Sequence, residues 1–256
     1  MKYTKSVALY GAILLAAVSA TALPASHVSA ANTTSTAPTV VTTQQGVTKP
    51  SFKERIEQIL KDSETPKVTP KPSQTIDGLK VYDPATDAAP KEGIPVRETN
   101  FTFHEPLLVR PDTKVIIIHH VGIPSGEVSA QQIHEAHLAN GWAGIGYHYV
   151  IHKDGVIDRG RPLATVGAHA EGHNYDSIGI NVTGNFEEEV PTDAQIQSLE
   201  QLITALCRLY NLTPNDQTII GHRDVNSTDC PGKYLYEKLP QIRHDVGAML
   251  QAGKKE

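Results

Sequence analysis

The chain has 256 residues, 28 of them acidic and 23 basic, for a formal net charge of −5 at neutral pH. That balance leaves no basic face to neutralise phosphates and argues against nucleic acid as a partner. It says little about neutral or mixed-charge polymers. The first stretch, MKYTKSVALYGAILLAAVSATALPASHVSA, reads as a secretory signal peptide over residues 1–30. Lys2 and Lys5 form the basic start, Val7 to Ala22 is apolar, and Val28-Ser29-Ala30 fits a small-x-small cleavage site. A transmembrane anchor is the rival reading, but the run is short, rich in small residues and followed by Pro24 and His27. No second run of spanning length occurs, so the mature protein is expected outside the cell with no transmembrane anchor. Cleavage removes two lysines and no acid, taking the formal charge from −5 to −7.

Residues 31–75 are poor in large apolar groups and rich in Thr, Ser, Pro, Gln and Lys. They cannot bury enough surface to offset their ordering entropy and read as a disordered stalk. Within it, SFKERIEQILKD spaces Phe52, Ile56, Ile59 and Leu60 helically, either as a docking helix or as a transient turn or two. From Pro95 the composition turns globular, leaving roughly 160 residues for one domain with a real core. KVIIIHH (114–120) reads as a strand buried on both faces. VSAQQIHEAHLANGW is a helix opened by a Ser129/Gln132 capping box. YHYVIHKDGVIDRGR is a hairpin turning at Asp154-Gly155, and SIGINVTGNF (177–186) is another inner strand. A long helix follows, capped by Thr192 and Gln195, with an apolar stripe through Ile196, Leu199, Ile203, Leu206 and Tyr210. QTIIGH is a short strand, and LPQIRHDVGAMLQ a closing helix with Pro240 near its start. Strands and helices interleave, so the expected fold is α/β, a central mixed β-sheet flanked by helices.

Eleven of the twelve histidines lie between His104 and His244. His119 and His222 each finish a strand-like run, where a rigid scaffold projects side chains into a shared cleft. Cys230 follows His222 by eight positions. Two imidazoles and a thiolate would make a three-ligand zinc site with a fourth position open, the arrangement of a catalytic zinc. Two other readings stay open at this point. Cys230 can pair with Cys207, although Cys207 lies near an apolar helix stripe where a lone cysteine acts as a small hydrophobe. A strand-end histidine can also be an ordinary hydrogen-bonded polar residue.

The stretches VIIIHHV, GWAGIGYHYVIHKDGVIDRGRP, VGAHAEGHNYDSIGINVTGNF and GHRDVNSTDCPG resemble the type 2 N-acetylmuramoyl-L-alanine amidase family, which includes peptidoglycan recognition proteins. They cover most of residues 95–252, in the family's order. The resemblance implies hydrolysis of the amide between N-acetylmuramic acid and L-alanine in peptidoglycan, the expected partner, with Zn2+ held by His119, His222 and Cys230. It places the family's catalytic tyrosine on Tyr147. Two residues before the cysteine, some phage members carry lysine and recognition proteins threonine; Thr228 stands here, a second candidate for hydrogen bonding the reacting oxygens. Family members that only bind peptidoglycan typically lack the cysteine, so Cys230 favours catalysis. His169 and Asn174 fall in a loop the family places along the groove, making each a substrate contact or a loop stabiliser. Arg161 can bind a stem-peptide carboxylate or pair with a nearby acid. His120 and His148 are expected to point away from the site by strand alternation. A monomer, secreted and wall-associated, is the overall expectation.

Overall fold

The computed structural model describes residues 75–87, 91–123 and 127–253. The leader (1–30), the helical run within 51–62 and all but the last residue of the stalk (31–75) lie outside the described residues. Two short strands, β1 (Thr75–Ile76) and β2 (Leu79–Lys80), pair antiparallel. The main sheet contains β3 (Val115–His120), β4 (Tyr149–Ile151), β5 (Ile157–Arg159), β6 (Ser177–Val182) and β7 (Ile219–Gly221). Its spatial order is β5-β4-β6-β3-β7, with every pair parallel except the β4–β5 hairpin. Among the described residues four α-helices accompany it: α1 (Ala130–Ala139), α2 (Asp193–Tyr210), α3 (Lys233–Tyr236) and α4 (Leu239–Ala252). The architecture is the mixed sheet with flanking helices that the sequence pattern predicts. No helix of the described residues is long and apolar enough to cross a membrane.

The sheet has two unlike faces, and the difference places the site. Ile116 and Ile118 of β3 join Ile178, Ile180 and Val182 of β6 against Leu199, Leu202, Ile203 and Leu206 of α2 and Ile242 and Val246 of α4. Each such buried aliphatic side chain contributes about 1.5–3 kcal/mol, so this face is a stiff foundation. Side chains alternate along a strand, so Ile117 and His119 of β3, with Gly179 and Asn181 of β6, belong to the opposite face. There the apolar filling is thinner, with Val115, Ile117, Ala170 and Ile220 in one cluster and Ala130, Ile133, Ile145 and Val150 in another.

Both capping boxes form. Ser129 Oγ accepts from the Gln132 amide at 3.2 Å while Gln132 Oε1 accepts from Ser129 N at 2.9 Å. Thr192 and Gln195 repeat the exchange at 3.1 and 3.0 Å. The hairpin turns at Asp154-Gly155, where Gly155 has φ +85°.

Two details depart from expectation. Strand β7 stops at Gly221, and His222 opens a 3₁₀ turn over His222–Asp224. Asp224 Oδ2 accepts from Gly221 N at 2.8 Å, which folds the chain back at that point. The folded unit also extends ahead of Pro95. Its N-terminal strap is tied by Tyr82 N to Leu107 O (2.8 Å) and by a 2.7 Å ion pair between Glu92 and Arg159. Those ties are backbone bonds and charges, which leave no apolar run for composition to register.

Candidate metal centre and catalytic cleft

His119 Nδ1 lies 3.7 Å from Cys230 Sγ, and the His119 and His222 rings have centroids 4.4 Å apart. One ligand atom from each of the three residues falls within 4.8 Å of the others. His119 comes from the end of β3, His222 from the 3₁₀ turn after β7, and Cys230 from the loop that follows. Parallel strands β3 and β7 therefore deliver two of the three from their carboxyl ends, where open α/β sheets usually bind ligands. Both cysteines are free, so the Cys207–Cys230 pairing does not form; Cys207 is buried within the α2–α4 core.

The far nitrogen of each imidazole is held. His119 Nε2 lies 3.0 Å from His169 Nδ1, and the second nitrogen of His169 is 3.3 Å from Ser177 Oγ, which donates to His173 O. A consistent proton arrangement has His119 Nε2–H donating to His169, and His169 Nε2–H donating to Ser177. His222 Nε2 lies 3.0 Å from Asn226 Oδ1, whose Nδ2 donates to Glu171 O at 3.2 Å. With each Nε2 held, Nδ1 is the nitrogen left to ligate, the form in which imidazole binds metals, and that of His119 faces the sulfur.

The electrostatics agree. Burial pushes His119 well below the ordinary histidine value, with His169, His222 and His120 adding to the shift. His222 is lowered by burial too, partly offset by Asn226. Burial pushes the Cys230 thiol up to about 12, against the His120 amide, which donates to the sulfur at 3.4 Å. A divalent cation inverts that last preference, because a coordinating thiol gives up its proton.

The donors fit zinc. Arms of about 2.0–2.1 Å to nitrogen and 2.3 Å to sulfur at a tetrahedral angle put the two atoms about 3.5 Å apart. The 3.7 Å separation of His119 Nδ1 and Cys230 Sγ needs only a slight closure.

The loop carrying Cys230 is held from several sides. Arg223 N donates to Cys230 O at 2.8 Å, and the Arg223 guanidinium bonds Asp229 O and, at 3.0 Å, Glu187. Gly232 sits at φ +86°, where a Cβ would come within 2.4 Å of the Phe186 carbonyl carbon. Only glycine lets the chain pass there.

The family model for N-acetylmuramoyl-L-alanine amidase matches residues 110–233. The endolysin of Enterobacteria phage T3 is 33% identical over 147 residues, spanning 54% of this chain and 95% of the endolysin. The chain belongs to the N-acetylmuramoyl-L-alanine amidase family. Among solved structures, the amidase LysC from Clostridium intestinale URNW superposes with a TM-score of 0.55 at 38% identity, over 60% of this chain and 97% of LysC. Peptidoglycan recognition protein LE, solved in complex with tracheal cytotoxin, a monomeric diaminopimelic acid-type peptidoglycan, gives 0.52 at 28% identity over 57% and 92%.

The other residues singled out in the amidase sequence fare differently. Tyr147 reaches the centre: its ring lies 5.1 Å from that of His119, and burial, reinforced by the Cys230 sulfur, raises its phenol above the ordinary value. Thr228 is half-buried in the ligand loop, and its Oγ1 accepts from Cys230 N at 3.2 Å. Its own O–H remains available to donate. His169 is buried, with one ring nitrogen on His119, so the structure makes it a support for that imidazole. Asn174 Oδ1 accepts from His169 N (2.8 Å) and Ala170 N (3.1 Å), which makes it the staple of that loop.

Arg161 is buried, and its guanidinium donates to Ile145 O (2.8 Å) and Val166 O (2.9 Å). It pairs with backbone carbonyls where the sequence reading offered it a stem-peptide carboxylate or a nearby acid. His120 turns away from the site, as alternation predicts, and accepts from Phe186 N at 3.2 Å. His148 does not turn away: it sits on the His169 side, rings 5.7 Å apart, accepting from Gly179 N at 3.0 Å. Strand β4 begins only at Tyr149, so strand alternation does not govern Tyr147 and His148. Asn226 was not legible in advance, because its contacts join residues 4 and 55 positions away across a loop.

Proposed function

We propose that the chain is an exported, zinc-dependent N-acetylmuramoyl-L-alanine amidase that cuts peptidoglycan between N-acetylmuramic acid and the L-alanine of its stem peptide. The observation that carries this is the His119–His222–Cys230 cluster with both spare imidazole nitrogens already held. These three residues would hold the ion. When bound, zinc supplies Lewis acidity, polarising the scissile carbonyl and making a water nucleophilic near neutral pH.

The rest of the chemistry falls to the chain itself. His119 and His222 stay neutral and present their Nδ1 lone pairs, while Cys230 surrenders its proton and contributes a negative charge. The Tyr147 hydroxyl, protonated at any physiological pH, donates to the oxygen that gains charge as the carbonyl carbon becomes tetrahedral. Thr228, in the loop that carries Cys230, donates towards the same reacting oxygens. Export over residues 1–30 delivers the enzyme, acting as a monomer, to the wall that contains its substrate.

The test is metal content together with turnover. Purified protein should carry about one zinc per chain, and Cys230→Ser should lose most of it along with release of L-alanine amino termini from peptidoglycan. Full zinc and full turnover in that variant would end the metal-site reading. Zinc binding without turnover in the unaltered protein would make it a peptidoglycan-binding module instead. For export, protein recovered from the medium should begin at Ala31; intact protein kept inside cells would refute it.

A further inference from the structure

Asn181 is the penultimate residue of β6 and is completely buried. Neither its amide nitrogen nor its amide oxygen has a hydrogen-bond partner among the described residues. An unpaired buried amide forfeits its hydration without compensation, whereas an apolar side chain of the same shape would lose nothing. Such orphans are few in native cores and call for a reason.

The position of Asn181 supplies one. Ile180 and Val182 on either side of it point into the core under α2 and α4, so the amide points to the other face. Its register partner on β3 is His119, and on β4 it is Val150. The Tyr147 ring lies 5.1 Å from that of His119, the residue opposite Asn181, so the phenol and the amide flank the same imidazole with no hydrogen bond joining them.

We propose that Asn181 is a positioning residue for catalysis, its amide N–H engaging the Tyr147 oxygen when substrate is bound and so aiming the Tyr147 proton at the carbonyl oxygen under attack. A phenol oxygen has one proton. Once that oxygen accepts from Asn181, the O–H is steered away from the amide and towards the cleft. A phenol that accepts one hydrogen bond also donates a stronger one. The inference rests on the role given above to Tyr147.

The experiment combines Asn181→Leu, Tyr147→Phe and the double variant, each loaded with zinc and assayed on purified peptidoglycan, with melting temperature and zinc content alongside. Asn181→Leu is expected to keep zinc, melt no lower than the unaltered protein, and lose turnover by a factor on the order of 10 to 100, less than for a donor removed outright. The double variant should be no slower than Tyr147→Phe alone to within about threefold, because residues acting through one another are not additive.

Turnover of Asn181→Leu within about twofold of the unaltered enzyme would overturn the proposal and leave the amide satisfied by an internal water. Losses that multiply in the double variant would overturn it as well. So would a silent Tyr147→Phe beside an impaired Asn181→Leu, since the amide would then act without the phenol. If leucine does not fold, Asn181→Ala is subject to the same criteria per folded molecule. Failure of the metal reading shows separately, in zinc retention by Cys230→Ser.

Discussion

Replacing Asn226 with alanine should weaken zinc binding about tenfold. The side chain makes one hydrogen bond to the far nitrogen of His222, 3.0 Å long, and is itself tethered to Glu171 O. Partners of this kind are typically worth 10- to 100-fold in metal affinity. Asn226 is only half-buried, so water can take over its acceptor role, and the loss falls at the lower end, about 1.4 kcal/mol. His169 does the same for His119 in a buried setting, and His169→Ala should approach the upper end. The assay is competition against a chromophoric chelator at fixed pH, giving Kd for each variant. Asn226→Asp, which keeps an acceptor at the same place, should bind at least as tightly as the unaltered protein. An Asn226→Ala Kd within twofold of the original, or an Asp variant as weak as the Ala variant, would refute the reasoning.

Tyr147→Phe should keep fold and zinc and lower turnover by a factor on the order of 10². Activity within about twofold would move the donor role to Thr228. Gly179→Ala should damage zinc binding from a distance, because its Cβ would stand 2.5 Å from the His169 ring, forcing off His119 the imidazole that supports it. Unchanged zinc affinity there would show that His169 is dispensable. Burial works against charge on Glu92, but hydrogen bonds from Arg159 and Tyr149 outweigh it and hold the carboxyl below the usual range. A depressed folded pKa contributes stability present above the unfolded value, about 4.3, and lost as pH falls through the folded value. Melting temperature should therefore drop less between pH 5 and about pH 3 in Glu92→Gln than in the unaltered protein, and parallel curves would count against the strap's ion pair.

Local signals were readable wherever the physics is local. Ser129 with Gln132 and Thr192 with Gln195 mark helix starts because the exchanged hydrogen bonds span three residues. The β-branched runs of β3 and β6 announce strands, and the clustering of His119, His222 and Cys230 was anticipated from strand ends and loop length. Supports for the site were not legible in the same way. His169 finds His119 at a separation of 50 residues, and Arg161 finds the Ile145 carbonyl only once the hairpin has closed. Arg161 and Asn174 carry polar groups that suit a ligand and a backbone carbonyl or amide equally well, and only the folded chain decides between them. The strap ahead of Pro95 went unseen for the same reason, since Glu92 meets Arg159 across the sheet edge.

His119 and Cys230 are 111 positions apart, and His222 stands beside the later of the two. Chains are synthesised from the N-terminus at about 5–20 residues per second. The first of the three is thus made well before its companions, and the cluster cannot assemble until His222 and Cys230 have followed. A chain interrupted anywhere before Cys230 carries at most two of the three ligands. An activity that needs all three residues is thus withheld until the C-terminal part of the chain has been made.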